Sequence, residues 1–198
     1  MKKRITLLVA IVVPLIILLI CIVAVILPML NYPEIGTVKV NDPQKYGSYN
    51  KATEDIIEDY SIGVLPSSEL VKDVCETYEY EYSCEILGYP SCYVYLSAVF
   101  TEDDMFVAEI NRIKDSSSGQ SESDNKIIYT FRDDLEKTIG FYSDDKIEDG
   151  RTHIFSFAIV DENEKSIEYF FAYHQESAGK NERISSLLAE IVKQCSLL

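Results

Sequence analysis

The sequence has no tryptophan and two histidines, His153 and His174, and its stretch from Ile5 to Leu30 carries no charge. Each scarcity excludes something. With two imidazoles and no C-x-x-C pair, a zinc finger of ordinary cysteine and histidine spacing cannot be assembled. No G-x-S-x-G, H-E-x-x-H, G-x-x-x-x-G-K or G-x-G-x-x-G occurs, so the familiar hydrolase, metalloprotease, P-loop and dinucleotide signatures are missing. Cations are scarce too: of 18 Lys and Arg, three are Lys2, Lys3 and Arg4, and the other 15 stand against all 33 acidic residues. From Asn31 onward the formal charge is therefore −18. Such a surface repels phosphate, which excludes nucleic acid and anionic lipid headgroups as partners of this region.

The uncharged run is the strongest single feature. Nineteen of its 26 residues are Leu, Ile or Val, together favouring insertion by about 8 kcal/mol on a translocon scale. As a helix it would cover ~39 Å, more than the ~30 Å hydrocarbon core, so a tilted span is expected over residues 5–30, with the lipid bilayer as its partner. Pro14 can kink that helix and Pro28 falls at its far end, where a break costs little. The basic cluster in residues 1–4 predicts a cytoplasmic N-terminus and an extracytoplasmic C-terminal domain, and Tyr32 suits the interface. A cleaved signal is the rival, but the run is too long and Val25-Ile26-Leu27-Pro28 offers no small-residue site. Lipidation at Cys21 meets a similar objection, because Ile20 stands where a lipobox needs a small residue. A single-pass, uncleaved anchor is the expectation.

Residues 31–198 suffice for one domain. Four cysteines fall there, Cys75, Cys84, Cys92 and Cys195, and in an oxidising compartment a disulfide becomes plausible. Cys84 and Cys92 flank a turn, which makes them the candidate bridge, with Cys75 and Cys195 left to pair or to stay as thiols. Fourteen tyrosines fit a half-buried sheet better than a recognition surface.

Residues 31–50, with Pro33, Gly36, Pro43 and Gly47, read as a tether to a domain over 51–198. A short acidic helix is expected over Lys51–Tyr60, and a second beginning at Ser67 as N-cap. Tyr78-Glu79-Tyr80-Glu81-Tyr82-Ser83-Cys84-Glu85 alternates strictly, as a half-buried strand does, and after the Gly88-Tyr89-Pro90 turn a second strand covers Cys92–Phe100. Thr101 and Asp104 resemble a capping box for a helix to about Lys114 that buries Phe106, Ile110 and Ile113. Residues 115–125 contain nothing apolar to bury and read as a flexible loop. Strands follow over Lys126–Arg132 and, more weakly, Thr138–Tyr142. Thr152–Val160 and Ser166–His174 form a hairpin, and pairing Phe155 with Phe171 and Phe157 with Tyr169 gathers the large rings on one face, which requires a loop with an odd number of residues. The last helix, from about Asn181 past Cys195, places Ile184, Leu187, Leu188, Ile191, Val192 and Cys195 on one stripe.

Chemistry is harder to find. Acidic pairs such as Asp103-Asp104, Asp133-Asp134 and Asp161-Glu162 suit solvated turns, and neither Asp145-Lys146-Ile147 nor the Asp161 segment fits a calcium loop. In the register that gathers the rings, His153 and His174 fall on different faces and take structural roles. No catalytic, cofactor-binding or metal-ligating residue is assigned, and no cofactor is expected. The layout resembles uncharacterised single-pass membrane-anchored proteins of Gram-positive bacteria: a basic start, one span, a spacer, then an acidic domain with Tyr78-Glu79-Tyr80-Glu81-Tyr82, Gly88-Tyr89 and a strand leading into Thr101-Glu102-Asp103-Asp104. The resemblance implies no activity and no site residues. The expectation is an α+β fold, an N-terminal transmembrane helix followed by an antiparallel sheet of about five strands with helices on one face. Its function is a non-enzymatic binding or interaction module at the cell surface, meeting an extracytoplasmic or envelope protein. The alternative is a cell-surface hydrolase or metal-dependent enzyme with an unrecognised active site.

Overall fold

The computed structural model of the chain describes residues 15, 16, 18–20, 35–84, 90–123, 126–131 and 152–175. The chain divides into two compact units, Met1–Pro33 and Glu34–Leu198. In the first, Leu15, Ile16, Leu18, Leu19 and Ile20 are helical and exposed. The rest of the expected span lies outside the described residues, among which no helix is long and apolar enough to cross a membrane. Also outside them lie the Thr138–Tyr142 strand and the helix from Asn181.

The second unit is α+β, built on one antiparallel sheet. Its helices begin where side chains satisfy the orphan amides of their first turns. In α1, Lys51–Tyr60, Asn50 Oδ1 accepts from the Thr53 N–H at 2.9 Å. In α2, Ser68–Val74, Ser67 Oγ accepts from the Leu70 N–H at 3.2 Å, the expected cap. The third helix, α3 (Asp103–Ser116), departs from expectation: Glu102 is its N-cap and makes no side-chain cap bond. Asp103 and Asp104 instead place negative charge in the first turn, where the helix dipole favours it.

Among the described residues seven strands form the sheet, two more than expected. They are β1 Gly36–Val40, β2 Cys75–Cys84, β3 Ser91–Val99, β4 Gly119–Ser123, β5 Lys126–Thr130, β6 Thr152–Asp161 and β7 Ser166–Gln175. The order is β1-β2-β3-β7-β6-β5-β4, every neighbour antiparallel. The two additions are the edges. β1 lies within the stretch read as a tether, and β4, Gly-Gln-Ser-Glu-Ser, within the one read as a loop. An edge strand is held by backbone bonds to a single neighbour and needs no apolar alternation, so composition alone does not reveal it.

The alternating tyrosines do what their spacing predicts. Tyr78, Tyr80, Tyr82 and Cys84 are buried on one face with Leu96, Tyr169 and Phe171 from the neighbouring strands. Ile56 of α1, Val71 of α2 and Phe106, Ile110 and Ile113 of α3 close over them in the same core.

The second hairpin corrects its expected register. Phe155 opposes Ala172, Phe157 opposes Phe170 and Asp161 opposes Ser166, one residue away from the pairing that put all rings on one face. Its loop, Glu162 to Lys165, has an even number of residues. Turn chemistry fixes this: Asp161 Oδ1 accepts from the N–H groups of Asn163 and Glu164, and Lys165 takes a positive φ of 47°. The rings divide between two faces because both are buried. On the face away from the helices, Tyr93, Ile128, Phe155, Phe157, Ile159, Phe170 and Ala172 are all 4% exposed or less. A hairpin buried on one side would favour the expected pairing, whereas one buried on both has apolar places for rings in either direction.

Candidate interaction surface

The candidate bridge residues share a face near the turn end of the β2–β3 hairpin. Tyr82 is the partner of Cys92, so Cys84 stands diagonally to it, and both cysteines are buried and hold their sulfurs as thiols. Burial pushes the Cys92 thiol from 9.0 up to about 12, with a hydrogen bond to the Tyr173 backbone pulling weakly the other way. His153 and His174 meet more directly than expected. The observed register makes them backbone partners, overturning their assignment to different faces.

The acidic pairs act as turn and surface groups where they are described. Asp103 pairs with the Lys165 ammonium, and Asp161, besides holding its turn, lies 4.0 Å from Lys126. Among the described residues no three His, Cys, Asp or Glu side chains are grouped to hold a metal ion.

One buried charge was not anticipated. Glu109 sits in α3, 6% exposed, and its Oε1 accepts from Arg112 Nη2 at 2.6 Å and from the Tyr169 hydroxyl at 2.9 Å. Its Oε2 accepts from Arg112 Nε at 2.9 Å. Arg112 also donates to the Gly63 carbonyl and, at 3.3 Å, to that of Val64. Burial lowers the Arg112 pKa, but the Glu109 carboxylate raises it by more; Tyr169 is raised, by burial first and then by the same carboxylate. The arrangement ties α3 to β7 and to the turn after α1, and every charge in it is matched. That is a structural clamp rather than a reactive group. The sequence signal was available: Glu109 follows Phe106 by three and precedes Ile113 by four, on the buried stripe, with an arginine three residues on.

A second polar cluster lies among the tyrosines. Tyr46 packs edge-on against Tyr49 and Tyr78, and Tyr49 against Tyr80. Tyr80 shares a 2.8 Å hydrogen bond with Thr53, and Tyr46 donates to the Pro66 carbonyl at 2.8 Å. The hydroxyls of Tyr49 and Tyr78 approach each other short of hydrogen-bonding geometry, and with Asn50 Nδ2 they are buried without a partner among the described residues.

What the domain presents outward is clearest at β1. Gly36 to Lys39 are exposed, and among the described residues β1 pairs with β2 alone. Ile35 just before it is 59% exposed and Val38 within it 39%. Natural edges are usually blunted by proline, a bulge or a free lysine. Here there is no proline, the β1–β2 register runs without a bulge, and Lys39 is drawn to Glu81 at 2.8 Å. The opposite edge, β4, has no apolar residue. No family model matches the chain, and neither the curated proteins nor the solved structures supply a match.

Proposed function

We propose that the chain is a single-pass anchored, non-enzymatic module whose domain is displayed outside the cell and binds an extended segment of an envelope protein along β1. The observation that carries this reading is the unprotected edge. Among the described residues β1 has a neighbour on one side alone, so its other side can extend the ladder, and Ile35 and Val38 add apolar area beside it. Strand addition of this kind takes its affinity from main-chain hydrogen bonds and its selectivity from alternate side chains. With a formal charge of −18 beyond Asn31, the domain favours a neutral or basic segment. Anchoring through residues 5–30, with Lys2, Lys3 and Arg4 in the cytoplasm, supports the outward display, and so does the resemblance to anchored proteins of Gram-positive bacteria.

The test is proximity labelling from the intact anchored protein, with Val38→Asp as comparison. Val38 is partly exposed, so the change should alter the edge with little effect on folding. A neighbour enriched by the native chain and lost with the variant supports the proposal. Recovery of the same general envelope proteins by both overturns it.

A further inference from the structure

The sequence of β1 has the character of a segment that its own edge would take. Gly-Thr-Val-Lys-Val is extended and alternately apolar, with one cation and no anion, which suits an open edge on an acidic domain. A second copy of the chain supplies such a segment.

Twofold symmetry fixes how two such edges meet. The axis that sets β1 antiparallel to its own copy is normal to the sheet and keeps each face on its own side, so residues of even number face residues of even number. One register of that kind overlaps all five residues: Val38 faces the second copy's Val38, Thr37 faces Lys39, and Gly36 faces Val40. Val38 is 39% exposed and lies beside Tyr82 on the helix side of the sheet, so facing its copy covers apolar area there. A β-carbon added at Gly36 would meet no atom within 4 Å, which leaves room for the valine opposite. On the other face Lys39, 2.8 Å from Glu81, falls opposite a neutral threonine, so no like charges are set face to face. The β4 edge offers no such closure. With every neighbour antiparallel in the order β1-β2-β3-β7-β6-β5-β4, β1 and β4 run the same way, and stacking one sheet's β4 on the next sheet's β1 would be parallel and open-ended.

We propose that β1 pairs with the β1 of a second copy, forming a C2 dimer with one continuous antiparallel sheet that shuts the edge until an envelope segment displaces the second copy. The proposal rests on the reading of β1 as a pairing edge and names what regulates it. Both occupants use the same outward backbone groups, so they exclude one another. Five residues bury too little for a permanent interface, and the dimer is weak. The formal charge of −18 on each domain beyond Asn31 opposes it, so screening by salt strengthens it, the reverse of an ion-paired interface.

The experiment measures the mass of the full-length chain by sedimentation equilibrium in density-matched micelles, with detergent in excess, at about 10 and about 150 mM salt, where the Debye length is roughly 30 and roughly 8 Å. A monomer–dimer equilibrium that shifts toward dimer at the higher salt is expected. Val38→Asp sets two carboxylates face to face and should abolish it. Thr37→Glu adds negative charge to both domains yet sets a carboxylate opposite each Lys39. With two such pairs per dimer it should tighten association by roughly 2- to 30-fold at the higher salt, and Thr37→Lys should loosen it. A chain that stays monomeric, a dimer lost on raising the salt, one that survives Val38→Asp, or one that Thr37→Glu weakens overturns the proposal. Circular dichroism checks the fold of each variant, and should Val38→Asp fail to fold, the opposite responses of the two Thr37 variants decide. The strand-addition reading is judged separately: a monomeric chain that still labels an envelope neighbour keeps that reading and refutes the dimer, while a dimer without a labelled neighbour does the reverse.

Discussion

Replacing Arg112 by methionine tests how the domain tolerates a carboxylate in its core. Glu109 is 6% exposed, and Arg112 supplies two of the three hydrogen bonds its oxygens accept, at 2.6 and 2.9 Å. Methionine keeps much of the arginine's apolar stem but leaves Glu109 with the Tyr169 hydroxyl alone. Breaking a buried pair from one side costs about 3–5 kcal/mol, because the remaining charge is stranded. The Arg112 side chain is 33% exposed, so water can reach part of the gap and the low end, about 3 kcal/mol, is expected. For a domain of this size that lowers Tm by roughly 6–12 °C. The triple variant Glu109→Leu, Arg112→Met, Tyr169→Phe should cost less than the single, about 1–2 kcal/mol, since no charge or hydroxyl is left without a partner. Urea unfolding of the full chain in micelles, followed by circular dichroism, ranks the two. If the triple variant is as damaged as Arg112→Met or worse, the attraction itself stabilises the fold and the stranded-charge reasoning is wrong.

Four other outcomes follow from the geometry. Phe157 is 2% exposed and stacks on Phe170 at 5.0 Å, so Phe157→Ala should cost about 3–5 kcal/mol; a loss below ~1 kcal/mol in urea unfolding would mean its face is open to water. Tyr80→Phe removes the bond to Thr53 and should destabilise by about 1 kcal/mol, whereas Tyr78→Phe removes a hydroxyl without a partner among the described residues and should be neutral or stabilising; equal losses in Tm would refute the distinction. Diagonal residues hold β-carbons ~7 Å apart against the ~3.8 Å of a disulfide, so Cys84 and Cys92 should both be alkylated in the denatured, unreduced chain, and a peptide map in which the two are joined would show that the hairpin end shifts to bridge them. Finally, burial raises the Cys92 thiol from 9.0 to about 12 and that of Cys75 to about 11, and raises Tyr46, Tyr49, Tyr78 and Tyr169 above 10.0. The unfolded chain then loses these protons first as pH rises, so stability is intact below pH 9 and falls above it, by up to ~1.4 kcal/mol per pH unit for each group titrating; a flat denaturation midpoint between pH 9 and 11 would contradict the burial.

The elements legible in the sequence are those whose pattern answers to a single physical demand. The Tyr78 to Cys84 alternation meets one buried face, Ser67 meets an orphan amide, and Phe106, Ile110 and Ile113 meet the core side of a helix. Elements under two demands, or none, were misread. β1 and β4 are edges, held by backbone bonds to which almost any sequence contributes. The β6–β7 hairpin answers to two buried faces, and the rule that rings share a side selected the wrong register by one residue. That single step moved His174 from the face opposite His153 to the position facing it. Glu109 is hidden for a related reason: a carboxylate matched by Arg112 and Tyr169 obeys the same periodicity as the apolar members of its stripe.

Burial on both sides also narrows where the domain can meet anything else. Over the middle rows of β6 and β7, Phe157, Ala158, Ile159, Ile167, Tyr169 and Phe170 are all 2% exposed or less, so neither face of the sheet is open there. Recognition through the sheet itself must then use its edges or strand ends. Of the two edges, β4 presents only Gly, Gln, Ser and Glu, while β1 joins exposed backbone to Ile35 and Val38. Of the strand ends, the one at Asp161 and Ser166 is occupied by its own turn and by the Lys126 and Lys165 ion pairs. The other end carries His153 and His174 as register partners. A partner strand at β1 therefore falls on a part of the sheet that its own core leaves uncommitted, an edge with a single neighbour among the described residues.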